Sequence, residues 1–251
     1  MRVTRVGFTP LKGGRHLTQP SVQLTPTGPS GDRAFCLVDP ATDRCLRTVE
    51  NPTLLQSRSS WDGATLCVEL PAGTLVGEPV ATGDVRRVDY WGRTAAVEVV
   101  DGPWSAAFSA HLGRKVVLVS TAPGDVVYGA SVTLVTGGSL ARLAHELGVP
   151  VDGARFRATV QLDTGDLPAH AEDDWVGRRL RLGTAEVQVR GPVPRCAVID
   201  LDPASGVRDL RVLQALAGYR RHQGQINFGV GAVVTVPGRV SPGATADVVA
   251  V

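Results

Sequence analysis

The stretch GPVPRCAVIDLDPASG, residues 191–206, decides the fold of this chain. Side chains alternate along an extended backbone, so Pro192, Pro194 and Cys196 share one face if the stretch is extended. Both prolines lack the N–H group that a central strand needs. We therefore expect Cys196 at the entrance of an apolar strand, 196–201, beside a cleft.

The chemistry open to Cys196 depends on its surroundings. Arg195 adds a fixed positive charge, which favours a thiolate over a thiol if an irregular backbone lets the two side chains approach. A thiolate can act as a nucleophile or as a ligand of a soft metal. The alternative is a structural cysteine buried in the core, the commoner role of a lone cysteine. The local sequence leaves both roles open.

Composition sets the outer limits. The 251 residues can form one large β-rich unit or two modest domains. Four widely spaced cysteines, without a C-x-x-C pair, argue against a zinc site or a disulfide framework. A net charge of +2, with both signs interspersed, lacks the pattern of a nucleic-acid binder but suits a small anionic ligand. Because no continuous apolar segment forms a secretion signal or a membrane span, we expect a soluble, cytoplasmic protein without nucleic-acid or membrane partners.

Short Val-rich segments bounded by Gly, Pro or Asp recur along the chain and predict strands. Their density is typical of barrels or curled sheets. The predicted strands are 34–39, 64–70, 95–100, 115–120, 131–136, 157–162, 178–182, 185–190, 196–201, 225–236 and 246–251.

Three segments are predicted to be helical. Residues 139–147 have one apolar face and Ser139 as N-cap. Residues 209–218 begin at a capping-type Asp209 and carry apolar residues at helical spacing, and a third helix is expected over 103–112.

A Pro- and Gly-containing interruption at 121–130 separates two groups of strands. We therefore predict two domains, 1–120 and 121–251.

Other reactive side chains have simpler interpretations. Cys36, Cys45 and Cys67 lie in β-like or turn segments and are interpreted as packing residues or surface thiols. The three consecutive acids at 172–174 diverge in direction and are interpreted as a turn. None of the five histidines has a partner at the spacing of a helical metal site.

Several short motifs occur in a specific order. Each one alone is weak, whereas their order and spacing together form a specific signal. They are Phe8-Thr9-Pro10-Leu11-Lys12, Gly31-Asp32-Arg33-Ala34-Phe35, Thr136-Gly137-Gly138-Ser139-Leu140, Arg155-Phe156-Arg157-Ala158-Thr159-Val160, Pro194-Arg195-Cys196, Asp202-Pro203 with Gly206, Tyr219-Arg220 and Phe228-Gly229-Val230.

With these motifs the chain resembles the MOSC family, named for the C-terminal domain of molybdenum cofactor sulfurase. It is most similar to members with an N-terminal β-barrel, such as the amidoxime-reducing component. The resemblance implies a mainly β fold with a few helices (α+β). In it, a MOSC β-barrel at 121–251 follows a smaller N-terminal β-barrel-like domain at 1–120.

The resemblance also implies roles for particular residues. In the family, the cysteine that matches Cys196 can coordinate the molybdenum of a pterin cofactor, so we expect Cys196 to be both metal ligand and catalytic residue. Basic and hydroxyl residues around the cleft hold the pterin and its phosphate; arginine offers a planar fork of donors, and a helix N-terminus favours an anion. The expected cofactor-binding residues are Lys12, Arg33, Arg47, Ser139, Arg157, Thr159 and Arg195.

The chain departs from the family pattern at three positions of the cleft. The Ser expected after Lys12 is Gly13, which removes a hydroxyl. The Asn expected in R-F-R-x-N is Thr159, which keeps a hydroxyl but loses the amide. The usual arginine of a third motif is Val49, and Arg47 is the residue that could compensate.

The first functional hypothesis is an oxidoreductase that binds the molybdenum cofactor (molybdopterin) and reduces an N-oxygenated small molecule. The sequence has no C-x-x-C-H, no four-cysteine cluster and no G-x-G-x-x-G. Electrons are therefore expected from a separate protein that carries a flavin, a haem or an iron–sulfur cluster.

Two alternatives stay open. In one, Cys196 holds sulfur as a persulfide, or the cleft carries the cofactor to another enzyme. In the other, the altered residues Gly13, Val49 and Thr159 mark a repurposed family member that works without molybdenum, in specialised metabolism.

Overall fold

A computed structural model of the chain describes residues 1–249. The fold is mainly β, with 44% strand and 18% helix, as the sequence predicts. Helices α1 (Trp104–Leu112), α2 (Gly137–Leu147) and α3 (Val212–Tyr219) lie where helices are expected. In the described part of the chain, no helix has the length and apolar character needed to cross a membrane.

Strands account for most of the remaining regular structure. The predicted strand 246–251 is seen as Ala246–Val249, and its last two residues lie outside the described part. In chain order the strands are β1 Arg2–Phe8, β2 Leu17–Gln19, β3 Val22–Thr25, β4 Gly28–Pro29, β5 Phe35–Asp39, β6 Arg44–Cys45, β7 Arg58–Trp61, β8 Leu66–Leu70, β9 Gly73–Gly77, β10 Val80–Tyr90, β11 Arg93–Asp101, β12 Val117–Thr121, β13 Val132–Thr136, β14 Val160–Asp163, β15 Arg179–Leu182, β16 Ala185–Pro194, β17 Arg221–His222, β18 Gln225–Val236, β19 Gly238–Val240 and β20 Ala246–Val249.

A closed five-stranded barrel forms in the first half of the chain, in the order β10-β11-β12-β5-β6. Val38, Val88, Val97 and Val119 pack together there and are buried, which supplies the hydrophobic free energy of this core. Beside it, the three-stranded sheet β7-β8-β9 contributes buried side chains to a second core shared with α1.

The second half is built on a nine-stranded sheet. Its order is β2-β1-β14-β13-β18-β16-β15-β20, with β17 paired to β18. Val6, Leu134, Val160, Val187 and Val230 fill the core of this sheet. Helices α2 and α3 pack against each other and bury a separate apolar cluster at one end.

The first strand of the chain joins the second sheet. β1 pairs antiparallel with β14 in the register Val6↔Val160, and the Gly7 N–H donates to the Thr159 carbonyl at 3.0 Å. β3 likewise pairs with β19. The division into domains at residue 120 stays a prediction, and these pairings show that the first 25 residues are hydrogen-bonded to the later part of the chain.

The predicted strand 196–201 is wrong. Ala197–Asp200 is instead a 3₁₀-helix. Its last residue turns inward, where the Asp200 carboxylate accepts the Leu213 N–H at 2.7 Å and a guanidinium N–H of Arg208 at 3.2 Å. An extended strand would not hold this carboxylate at the start of α3, so the capping interaction overrides the apolar, strand-like sequence.

The predicted start of the helix 209–218 is also shifted. α3 begins at Val212 rather than at Asp209. The Asp209 carboxylate instead accepts two hydrogen bonds from the Arg155 guanidinium, at 2.8 and 2.5 Å. Because Asp209 is engaged in this fork-like ion pair, Asp200 takes the capping role.

Ser139 is not the N-cap of α2, contrary to the prediction. The N-cap is Thr136, whose hydroxyl oxygen accepts the Ser139 N–H at 3.2 Å. Both hydroxyls donate to the carboxylate of Glu172, at 2.8 Å from Thr136 and 2.6 Å from Ser139. Glu172 is fully buried, so the chain supplies its own anion at this helix N-terminus.

We predict that Glu172→Ala lowers the free energy of unfolding by about 2–3 kcal/mol, because two buried hydroxyls lose a charged acceptor. Asp174 lies on the same 3₁₀-turn but is exposed, so Asp174→Ala should change stability by less than about 0.5 kcal/mol. Urea denaturation measures both values. Equal effects of the two substitutions would contradict the role given to Glu172.

Candidate functional site

Cys196 lies at the exposed end of a long strand. β16 ends at Pro194, and the Arg195 N–H donates to the Ile226 carbonyl at 2.7 Å. Cys196 then begins the 3₁₀-helix Ala197–Asp200, and its side chain is exposed to solvent. The thiol is therefore outside the core and accessible to a ligand.

Arg195 fixes the strand end that carries Cys196. Its Nε donates to the Phe228 carbonyl and its Nη1 to the Phe156 carbonyl, each at 2.9 Å. Burial lowers the pKa of Arg195 to about 10, so the guanidinium stays charged at neutral pH. Its Nη2 is buried and has no hydrogen-bond partner within residues 1–249. Arg195 thus positions Cys196 and keeps one donor unused.

A small cavity is lined by Val198 of the 3₁₀-helix that follows Cys196. The 3₁₀-helix that follows Cys196 packs against a second one, Gly153–Phe156. The cavity has a volume of about 10 Å³, room for about one water molecule. Its lining includes His16, Arg155, Arg157 and Val198.

The loop 9–16 borders this cavity through His16. The Arg157 Nη1 donates to the Gly14 carbonyl at 2.8 Å. On its other side the loop is held by Lys12 N–H, which donates to the Phe35 carbonyl at 2.8 Å. These contacts fix Lys12 relative to Arg157, although the two residues are far apart in the sequence.

Three of the predicted cofactor-binding residues, Lys12, Arg33 and Arg157, form one cationic cluster, in which Lys12 is buried and the two arginines are half-buried. Burial, and then the charge of Arg33, lower the pKa of Arg157 to about 10, while Asp32 acts in the opposite direction. Burial also lowers the pKa of Lys12; Cys45 and Cys36 oppose this effect, and Arg33 and Arg157 add to it. Asp32 forms an ion pair with Arg33. Three cations thus face one carboxylate, and the excess positive charge favours an anion.

Two residues of this cationic cluster adopt an uncommon backbone conformation. Arg33 has φ = 49° and Arg157 has φ = 51°, both in the left-handed region. Side chains with a Cβ atom are rarely found there, and such positions concentrate at functional sites. The backbone therefore holds these guanidinium groups where a relaxed strand or helix would not.

His16 is a further member of the site that the sequence analysis did not assign to the cleft. It is buried, and burial followed by the charges of Arg157 and Arg5 keeps its pKa well below the ordinary value. Gly7 makes room for it, because a Cβ atom at Gly7 would lie 2.7 Å from the imidazole Cε1. The Gly-rich loop and Gly7 were the signals that could have indicated this close approach.

The other predicted cofactor-binding residues lie elsewhere. The hydroxyl of Ser139 is bound to Glu172. Thr159 exchanges hydrogen bonds of 3.2 Å with Thr133, each hydroxyl accepting the other residue's N–H. The guanidinium of Arg47 lies 4.2 Å from the ring centroid of an aromatic residue of the barrel, Trp91. The structure does not join these three residues to the cationic cluster.

A metal at Cys196 would need ligands from outside the protein. Within residues 1–249, no group of three or more His, Cys, Asp or Glu side chains is arranged to hold a metal ion. A single cysteine sulfur is the donor set expected where a cofactor brings the metal and its other ligands.

Comparison with known proteins gives the family. The MOSC domain family matches residues 111–247, more than half of the chain. The chain belongs to the MOSC domain family. The matched range includes Arg157, Arg195 and Cys196 but not Lys12 or Arg33.

Relatives of this MOSC protein include molybdenum cofactor sulfurases. The one from Drosophila grimshawi is 27% identical over 91% of this chain and 31% of its own length. The one from Oryza sativa subsp. japonica is 38% identical over 33% of this chain and 10% of its own length. The chain thus spans about a third or less of the length of these relatives.

Two solved structures are similar at low identity. The YuaD protein from Bacillus subtilis is 13% identical, with a TM-score of 0.47 over 98% of this MOSC protein and 94% of YuaD. YiiM from Geobacillus stearothermophilus is 21% identical, with a TM-score of 0.36 over 48% of this chain and 55% of YiiM.

The buried, neutral His16 gives this MOSC protein a pH-dependent stability. In the unfolded chain a histidine takes up a proton near pH 6.5, whereas folded His16 resists protonation, so stability falls as pH drops below about 6.5. We predict that His16→Gln reduces this loss between pH 6 and 5 by about 1 kcal/mol per pH unit. His222→Gln, at an exposed position, should leave the slope unchanged in urea denaturation at each pH. An unchanged slope in His16→Gln would contradict the assignment.

Proposed function

We propose that this MOSC protein binds the molybdenum cofactor and uses it to reduce N-oxygenated small molecules. The observation that carries the proposal is the cluster of Lys12, Arg33 and Arg157, whose charge exceeds that of Asp32. The accessible thiol of Cys196 is connected to it through Arg195, whose Nη1 donates to the carbonyl of the residue before Arg157. Membership of the MOSC family and relatives named molybdenum cofactor sulfurase support the choice of cofactor.

The residues present fit such a group in charge and in donor chemistry. A phosphate would offset the positive charge of the arginines, which adds to the effect of burial in lowering the pKa values of Lys12 and Arg157. The unused Nη2 of Arg195 is a buried donor near the thiol. A thiolate is a suitable ligand for a metal held in a cofactor.

The loop 202–206 limits the space for a ligand. Pro203 lines the cavity, the Ala204 carbonyl accepts an Arg15 guanidinium N–H at 2.6 Å, and the Ser205 carbonyl accepts the Gln56 amide at 3.1 Å. Since the cavity holds about one water molecule, a phosphate would enter only if this loop shifts. The hydrogen bonds from Arg15 and Gln56 are the contacts that such a shift would break.

The roles of this chain's residues follow from their positions. Lys12 and Arg157 would bind phosphate oxygens, with Arg33 adding charge. Cys196 would provide a sulfur ligand, held at its strand end by Arg195. When bound, the molybdenum cofactor supplies two-electron redox chemistry with oxygen removal.

The proposed substrate class is an N-hydroxylated small molecule. Its N–O bond takes up two electrons and two protons and gives the N–H compound and water. The chain has no sequence motif for a flavin, a haem or an iron–sulfur cluster of its own, so a separate electron-donor protein completes the reaction.

A second function is favoured by the exposure of Cys196. An accessible thiol next to a guanidinium is also the arrangement that a persulfide carrier needs. The relatives named molybdenum cofactor sulfurase are consistent with sulfur chemistry. A carrier of this kind would hold sulfur at Cys196 without retaining molybdenum.

The test is elemental analysis of the protein purified from a host that makes the cofactor. We predict stoichiometric molybdenum in the wild type and in Cys67→Ser, and a loss of most of the metal or a changed visible spectrum in Cys196→Ser. N-hydroxylated substrates should be reduced only with a matching electron donor. Protein that is folded but free of molybdenum would overturn the proposal, and sulfane sulfur at Cys196 would then favour the carrier.

A further inference from the structure

Two cysteines of the N-terminal barrel lie next to each other. Cys36 is on β5 and Cys45 on β6, which are antiparallel neighbours with Val38 opposite Cys45. Cys36 is two residues from Val38 and so faces the same side of the sheet. Cys36 and Cys45 belong to the same buried core cluster, and both are free. The barrel therefore contains two neighbouring free thiols on one face of adjacent strands, rather than isolated packing residues.

The surroundings distinguish the two sulfurs. The hydrogen bond from Cys36, and then the charges of Lys12 and Arg47, lower the pKa of Cys45, against the effect of burial. The pKa of Cys36 is raised well above its ordinary value by its hydrogen bond to Cys45 and by burial. Cys45 is therefore the more acidic of the two thiols.

Lys12 provides the cation for this thiolate. Its side chain is buried, donates to the Leu46 carbonyl at 3.2 Å and lies 5.0 Å from the ring centroid of Tyr90. Lys12 makes no ion pair with a carboxylate within residues 1–249. The buried ammonium of Lys12 therefore favours the thiolate form of Cys45 over the thiol.

Cys45 can be reached from solvent, whereas Cys36 is completely buried. Cys45 is 6% exposed and lines a cavity of about 180 Å³. This cavity has room for several water molecules and for a small peroxide. Arg44, Arg114 and Asn51 also line it and give it a polar wall.

We propose that Cys36 and Cys45 form a dithiol site that small hydroperoxides oxidise to an intramolecular disulfide. The Cys45 thiolate attacks the distal peroxide oxygen, the O–O bond breaks, and the alkoxide or hydroxide leaves and takes a proton from solvent. The product is a sulfenic acid at Cys45. The Cys36 sulfur then attacks the Cys45 sulfur, and its proton and the sulfenic hydroxyl leave as water. The peroxide is reduced by two electrons and the two thiols are oxidised by two.

This site uses sulfurs other than Cys196, and it shares Lys12 with the cationic cluster of the proposed cofactor site. Low-pKa thiols that are reachable from solvent and lie next to a second thiol are the kind that sense peroxides. Cys196 is exposed but lies on another part of the chain, and Cys67 is a half-exposed thiol of β8. Neither of them belongs to the pair of Cys36 and Cys45, so both serve as controls.

The test uses the full chain with Cys67→Ser and Cys196→Ser, which keeps both barrel thiols. Stoichiometric hydrogen peroxide should remove both thiols from titration in denaturant, and dithiothreitol should restore them. Peptide mapping should join the two peptides within one chain. Persistence of both thiols under conditions that oxidise glutathione would overturn the proposal, as would a disulfide only between chains.

Single variants assign the roles of the two sulfurs. With Cys36→Ala added, peroxide should leave a sulfenic acid at Cys45 that dimedone traps. With Cys45→Ala added, Cys36 should stay reduced. Equal trapping of both sulfurs would contradict the order of attack. The parent variant retains the native pair, so its disulfide result does not depend on the folding of these two proteins, which circular dichroism checks.

Discussion

The antiparallel pairing of β1 with β14 is the constraint on which the site depends. It fixes Val6 opposite Val160 and leads the chain from β1 directly into the loop 9–16. On the other strand, Arg157 lies just before β14 and donates to the carbonyl of Gly14 in that loop. One ladder of backbone hydrogen bonds therefore brings the start of the chain against its middle and creates the cleft.

Lys12, Arg33 and Arg157 bring together more positive charge than the carboxylate of Asp32 neutralises. Burial is the largest cause of the lowered pKa values of Lys12 and Arg157, and the neighbouring arginines add to it. At the N-terminus of α2 the chain supplies the anion itself, because the Glu172 carboxylate accepts the hydrogen bonds there. The contrast separates a satisfied structural site from the cluster at which we propose that an anion binds.

Much of the fold and part of the site could be predicted from the sequence. The helices follow from apolar spacing, and the order of motifs identified the family. The prediction of a strand at 196–201 was wrong because an apolar run does not reveal that Asp200 caps a helix. The prediction of Ser139 as the N-cap was wrong, because the acids at 172–174 are distant in sequence and Glu172 could not be paired with the helix. β1 was missed because its arginines interrupt the apolar pattern, and its partner β14 is far along the chain.

The proposed function requires that the cationic cluster holds an anionic part of the cofactor. Lys12→Met tests it most directly, because it removes one buried cation at nearly constant volume, and Lys115→Met is the matched change at an exposed position. The measurement is the cofactor affinity of the two apo-proteins, with molybdenum and pterin quantified after equilibration. We expect Lys12→Met to bind at least about tenfold more weakly than the wild type and Lys115→Met to bind as the wild type does. Equal affinities in all three proteins would contradict it.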